Sequence, residues 1–149
     1  MIAIGCDHAA VGFKNAIIEH LRKNGFDVKD YGCDGEKSVD YPDYALKVAE
    51  DVAAGKCEKG ILICGTGIGM CIAANKVKGI RCAHCSDTFS AKATRMHNDA
   101  NILAMGERTI GLGLALEIVD CFVNTPFSGD VRHVRRLDKI AEIENKYFK

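Results

Sequence analysis

The run Gly60-Ile61-Leu62-Ile63-Cys64 passes straight into Gly65-Thr66-Gly67-Ile68-Gly69, and no other feature restricts the fold of this chain so much. A short, unbroken apolar run bounded by glycine is a strand buried on both faces. Such strands belong to parallel sheets covered by helices on either side. The glycines that follow make a turn from which a helix opens.

The rest of the chain repeats this pattern. Ile2 to Ile4, Val28 to Tyr31, Ile80 to His84 and Ile102 to Ala104 read as further short strands. Phe13, Ile17 and Leu21 recur every four residues, which marks a helix over 10–24 that Gly25 stops. Residues 32–40 are polar and contain glycine, hence a loop, and Pro42 suits the first turn of a helix running to Ala54. Helices are also expected from Ile68 to Val77, from a cap at Ser86 or Asp87 to about His97, and from Thr109 or Gly111 to Asn124. Val131 to Tyr147 makes a last, amphipathic helix. Strands separated by helices of this length form βαβ units. The expected fold is therefore α/β, a three-layer sandwich with a five-stranded parallel sheet and helices on both faces.

With 149 residues and no internal repeat, low-complexity tract or linker, one domain over 1–149 is expected. A chain of this size buries roughly 70% of its extended surface, so it has no need of metal or disulfide staples. Twenty basic and twenty acidic side chains cancel, and no long basic run exists, which argues against a nucleic-acid or acidic-membrane partner. No stretch approaches the ~20 apolar residues of a membrane span. The N-terminus lacks the basic and apolar regions of an export signal. A cytoplasmic protein is expected, its eight cysteines free thiols in a reducing compartment.

In sheets of this kind ligands bind beyond the carboxyl ends of the strands. Asp7 and His8 follow the first strand, Cys64 and the glycine loop the third, Ser86 and Asp87 the fourth. Gly65, Gly67 and Gly69 leave backbone N–H groups free to converge on one anionic atom, although a plain tight turn would use the same residues. Met70 stands where a dinucleotide fingerprint needs a small residue, and where a Cys-x5-Arg phosphatase loop needs arginine. Asp87 remains at the place of a ribose-binding carboxylate. Cys64, at the mouth of the loop, is either a small buried strand residue or a thiol activated as nucleophile or base. Cys82-Ala83-His84-Cys85 has the C-x-x-C spacing, but on a strand its two thiols point to opposite faces and cannot share a metal.

His97-Asn98-Asp99 closes a helix, either as a cap or as a site for a proton shuttle. Arg108 follows the fifth strand as a surface charge. Arg132 and Arg136 lie four apart at a helix start, where two cations are unfavourable unless an anion sits between them or Asp130 and Asp138 pair with them.

Several pieces together match one family. Gly5-Cys6-Asp7-His8, Asp40-Tyr41-Pro42, Ile63-Cys64-Gly65-Thr66-Gly67-Ile68-Gly69, Ala73-Ala74-Asn75-Lys76, Gly79-Ile80-Arg81, His97-Asn98-Asp99-Ala100-Asn101 and the Arg132, Arg136 pair stand in the order they have in the ribose/galactose isomerase family. The chain resembles its ribose 5-phosphate branch, the type B ribose-5-phosphate isomerases, over almost its whole length. That resemblance implies a Rossmann-like sheet and a homodimer, often paired into a tetramer, with active sites across the dimer interface. It implies metal- and cofactor-free interconversion of D-ribose 5-phosphate and D-ribulose 5-phosphate through a cis-enediolate, in the pentose phosphate pathway.

Carried over, Cys64 is the base and His97 assists ring opening, with Asp7 and Thr66 beside them. Gly65, Thr66, Gly67, Ile68 and Gly69 form the anion hole. Asn98 and Tyr41 contact the sugar, and His8, Arg108, Arg132 and Arg136 hold the phosphate or line its pocket. Met70 occupies the position of the glutamate base in another branch, which favours the cysteine branch. The alternatives are a six-carbon aldose phosphate or rare-sugar isomerase, and a non-catalytic sugar-phosphate or nucleotide sensor.

Overall fold

The computed structural model describes residues 1–35 and 37–148. Glu36, within the expected loop over 32–40, lies outside the described residues. Five parallel strands and six helices alternate: β1 (Ile2–Cys6), α1 (Val11–Lys23), β2 (Val28–Asp30), α2 (Tyr41–Ala53), β3 (Lys59–Cys64), α3 (Ile68–Ala74), β4 (Cys82–His84), α4 (Thr88–Asn98), β5 (Ile102–Gly106), α5 (Leu112–Asn124) and α6 (Val131–Tyr147). Among the described residues no helix is long and apolar enough to cross a membrane.

The two-residue period of the strands divides the core in two. Ile2, Ile4, Ile61, Ile63, Leu103 and Met105 face α1, α4 and α5. Ala3, Leu62, Cys64, Ile102 and Ala104 face α2 and α3. Burying one such Ile or Leu side chain contributes about 1.5–3 kcal/mol, so both helical layers are held by the sheet. This is the expected α/β sandwich. Cys82 packs on the α2–α3 side and Cys85 on the other, as their strand spacing requires.

The strand order is β2-β1-β3-β5-β4. The chain leaves β3, forms β4 at the edge, and returns to insert β5 between them. Burial explains the arrangement: all five residues of β5 are buried, whereas β4 is three residues long and only half-buried. Both edge strands are short, which limits the unpaired backbone they present.

Local side-chain bonds move some expected boundaries. α3 ends at Ala74, before the expected Val77, because the Asn75 amide donates to the carbonyls of Cys71 and Cys82 at 3.0 Å. Its Oδ1 accepts from Cys82 N–H at 2.8 Å, so Asn75 joins α3 to β4. Arg81 is kept out of β4 by Asn101, whose Oδ1 accepts the Arg81 N–H at 2.8 Å. β1 and β5 run two residues beyond their expected ends, because Cys6 pairs with Ile63 and Gly106 with Cys64.

Candidate active site

Three strands end side by side at one rim of the sheet, and the loops after them converge. After β1, Asp7 is buried, and its carboxylate accepts the Ala9 N–H at 2.9 Å. His8 is exposed, and its Nδ1 accepts the Val39 N–H at 3.1 Å. The ring proton therefore sits on Nε2, which is left as a donor to a ligand.

After β3, the 65–69 loop lies flat on the end of β5. A Cβ on Gly67 would stand 2.6 Å from the Met105 carbonyl carbon, and one on Gly106 would stand 2.5 Å from that of Thr66. Gly67 also has φ +81°, which side chains rarely adopt. The close approach turns the loop amides inward. Gly67 N–H donates to Cys64 Sγ at 3.1 Å, and Ile68 N–H donates to Thr66 Oγ1 at 3.2 Å. Cys64 is thus both a buried strand residue and the thiol of the loop: it is 6% exposed, with its sulfur accepting the Gly67 N–H. Tyr41, at the start of α2, lays its ring over Gly69, where a Cβ would be 2.6 Å from Cε1. Arg108 extends over Gly65, with its Cδ 3.4 Å from where a Cβ would stand.

Neighbouring groups separate from this cluster. Met70 is fully buried on the α2–α3 side and anchors the loop from beneath. The Cys71 thiol is pushed down to about 7 by its hydrogen bond with Cys82, but its sulfur turns to β4, 3.4 Å from the Cys82 carbonyl oxygen. The Asp87 carboxylate caps α4, accepting from Ser90 N–H at 2.6 Å and Ser90 Oγ at 2.9 Å. It is engaged within its own helix, which removes the group a ribose would need in the dinucleotide alternative.

The remaining expected residues lie at the opposite rim. α4 runs back along the sheet, so its last residues, His97 and Asn98, precede the start of β5. Asp99 turns the chain at φ +44°. Arg95 donates to the Asp99 carboxylate at 2.8 Å, and Arg81 Nη2 donates to the Asp99 carbonyl at 2.9 Å. The His97 ring stands 4.5 Å from that of His133 in the first turn of α6. Nδ1 of His133 meets Ser128 Oγ at 2.9 Å. Burial, with His97 and Arg132 nearby, pushes the His133 imidazole down from its ordinary value.

Arg132 and Arg136 are exposed at the start of α6, and neither has an ion-pair partner within 4.0 Å among the described residues. The basic stripe paired with Asp130 and Asp138 is not formed. From Ile102 to Gly106 β5 spans about 13 Å, and this length separates His97, Asn98, Arg132 and Arg136 from Cys64 within one chain.

One residue at the Cys64 rim escaped the sequence argument. His84 closes β4, and its Nε2 lies 2.7 Å from the Thr66 carbonyl oxygen. Its place as the last residue of a strand was the signal that could have found it.

The family model for Ribose/Galactose Isomerase matches residues 2–140. The chain belongs to the ribose/galactose isomerase family. Within it, the ribose-5-phosphate isomerase B of Escherichia coli is 47% identical over 145 residues, 97% of each chain. The D-erythrulose-4-phosphate isomerase of Pectobacterium atrosepticum is 49% identical over 147 residues, 97% of this chain and 95% of its own. The structure of ribose-5-phosphate isomerase B from Clostridium thermocellum superposes with a TM-score of 0.95 at 55% identity, covering 98% of both chains. The chain shares the fold of this last protein over 98% of its length.

Proposed function

We propose that this chain interconverts D-ribose 5-phosphate and D-ribulose 5-phosphate, a step of the pentose phosphate pathway, through a cis-enediolate. The observation that carries this is the Cys64 sulfur held 3.1 Å from the Gly67 N–H at the mouth of the glycine loop. A sulfur anion there removes the proton on C2 and returns it to C1. With the Gly67 N–H on sulfur and the Ile68 N–H on Thr66, the remaining loop amides, those of Gly65, Thr66 and Gly69, meet the negative oxygen that develops between those steps. Each preorganised donor of this kind is worth about 3–4 kcal/mol in comparable oxyanion holes. His8 and Arg108 present donors for the phosphate, and Asp7 and Tyr41 border the sugar. No step draws on a metal or a cofactor.

The acid that opens the sugar ring comes from a second copy of the chain. The His97 rim of a partner subunit, with its Asn98, Arg132 and Arg136, completes the crevice that one chain leaves open. Two exposed apolar patches support such a homodimer. Ile68 and Ile72 stand on the outer side of α3 at 52% and 59% exposure, and Phe89 on α4 stands at 80%. The second patch continues through Ala93 and Met96 to His97.

Incubation with ribose 5-phosphate in heavy water tests the chemistry. Ketose is expected, with deuterium at C1 to the extent that the proton on sulfur exchanges with solvent before its return. Ketose without deuterium at C1, formed from 2-deuterated ribose 5-phosphate as fast as from the ordinary sugar, would exclude rate-limiting proton transfer through the enediolate. Thermal stabilisation by the sugar phosphate with no ketose at all would leave a sensor in place of an enzyme.

The identity to the D-erythrulose-4-phosphate isomerase supports a second substrate, a four-carbon sugar phosphate. Such a sugar cannot close a ring, because its terminal oxygen carries the phosphate. It therefore also isolates the role of His97. His97→Asn should slow ribose 5-phosphate turnover by about 10²-fold or more, the worth of a general acid, while D-erythrulose 4-phosphate turnover falls far less. Equal losses on both substrates would remove His97 from ring opening.

A further inference from the structure

The stretch Cys82-Ala83-His84-Cys85 has no part in the chemistry above, yet its histidine reaches the glycine loop. We infer that His84 is a positioning residue for Cys64, acting through the single peptide unit between Thr66 and Gly67. His84 Nε2 lies 2.7 Å from the Thr66 carbonyl oxygen. A carbonyl oxygen only accepts, so Nε2 carries the ring proton and donates it. The N–H of that same peptide unit, on Gly67, donates to Cys64 Sγ at 3.1 Å. His84 and Cys64 thus hold the two ends of one rigid amide plane.

Two effects follow. Because the peptide is planar, a donor fixed on its oxygen fixes the direction of its N–H. Hydrogen bonds in a chain polarise one another, so a donor on the oxygen makes the N–H a stronger donor to sulfur. Both effects favour the sulfur anion over the thiol, because a hydrogen bond to a charged acceptor is the stronger one. The packing maintains the arrangement. A Cβ on Gly67 would meet the Met105 backbone at 2.6 Å and His84 Cδ2 at 2.9 Å, so the peptide is gripped between β5 and the imidazole. His84 itself is exposed, so replacing it opens no cavity in the core.

The inference rests on Cys64 being the base. Wild-type full-length protein is compared with His84→Leu and His84→Gln. Alkylation of Cys64 by iodoacetamide is followed across pH at the Cys64 peptide by mass spectrometry, alongside kcat, KM and Tm. The other titratable and charged groups around the rim are Asp7 and His8 after β1, Tyr41 on α2, Cys71 on α3, Asp87 after β4, and Glu107 and Arg108 after β5. All are the same in the three proteins. In His84→Leu the alkylation midpoint should rise by about half to one pH unit, and kcat should fall about three- to tenfold at nearly constant KM. His84→Gln offers a side-chain N–H to the same carbonyl and should recover most of both.

An unchanged midpoint in His84→Leu, or a shift that His84→Gln does not reverse, overturns the inference. The assignment of Cys64 as base fails separately, if Cys64→Ala keeps its turnover, and the alkylation profile still judges His84 in that event.

Discussion

Replacing Cys64 with alanine is expected to lower kcat for ribose 5-phosphate by at least about 10²-fold, while the fold and the binding of the sugar phosphate survive. The substitution removes one buried sulfur from the α2–α3 side of the core and adds nothing that must be accommodated. Its effect on stability should therefore stay near the low end for core truncations, about 1 kcal/mol. The loop keeps its path, because that path is set by Gly67 and Gly106 against the β5 backbone and by Met70 beneath it. Phosphate and sugar contacts are made by other residues, so the dissociation constant of the sugar phosphate should hardly move.

Calorimetric titration, thermal melting and turnover on one preparation separate the three effects. Cys71→Ala is the control. It is the other thiol near the loop, held at about 7, but its sulfur is committed to β4. Cys71→Ala should therefore keep its turnover. A Cys64→Ala protein that isomerises at more than a few per cent of the wild-type rate would transfer the base to another group.

The fold was legible where periodicity speaks directly. Phe13, Ile17 and Leu21 mark α1, and the alternation of Ile61, Leu62 and Ile63 assigns each to its helical layer. The strand order was not legible, because periodicity describes each element alone. That β5 inserts between β3 and β4 emerges only when the burial of five residues is weighed against three. Helix α3 was overestimated for a related reason. Asn75 looks like one more helical residue until its amide is seen bridging Cys71 and Cys82.

The site divides in the same way. Asp7, His8, Cys64 and the loop follow strand ends, and the carboxyl-end rule finds them without a relative in view. His97 as a proton shuttle and Arg132 and Arg136 as an anion clamp are candidates from residue type and spacing, and the resemblance adds a sugar contact at Asn98, but nothing in their spacing says which rim they occupy. The geometry does say it, after the fact. A helix of eleven residues covers about 16 Å, enough to carry the chain from the end of β4 back to the start of β5. Its last residues must then lie at the rim far from Cys64. His84 was overlooked because its strand was weighed only for its flanking cysteines.

That separation makes the strongest test of a shared site. Cys64→Ala and His97→Asn are each expected to be nearly inactive on ribose 5-phosphate, at about a hundredth of wild type or less. In a homodimer whose sites combine Cys64 of one subunit with His97 of the other, a mixed dimer collects both lesions in one site and none in its second. Random assortment makes about half the dimers mixed, each with one intact site, so co-expressed variants should regain about a quarter of wild-type turnover. Were both residues to serve the same site from one chain, every site in a mixed dimer would carry a lesion, and mixing would restore nothing. Closing the gap within a chain would require moving α4 past β5, whose five residues are all buried and paired to β3. A rigid strand of about 13 Å offers no hinge for such a motion, so recovery on mixing has no intrachain explanation.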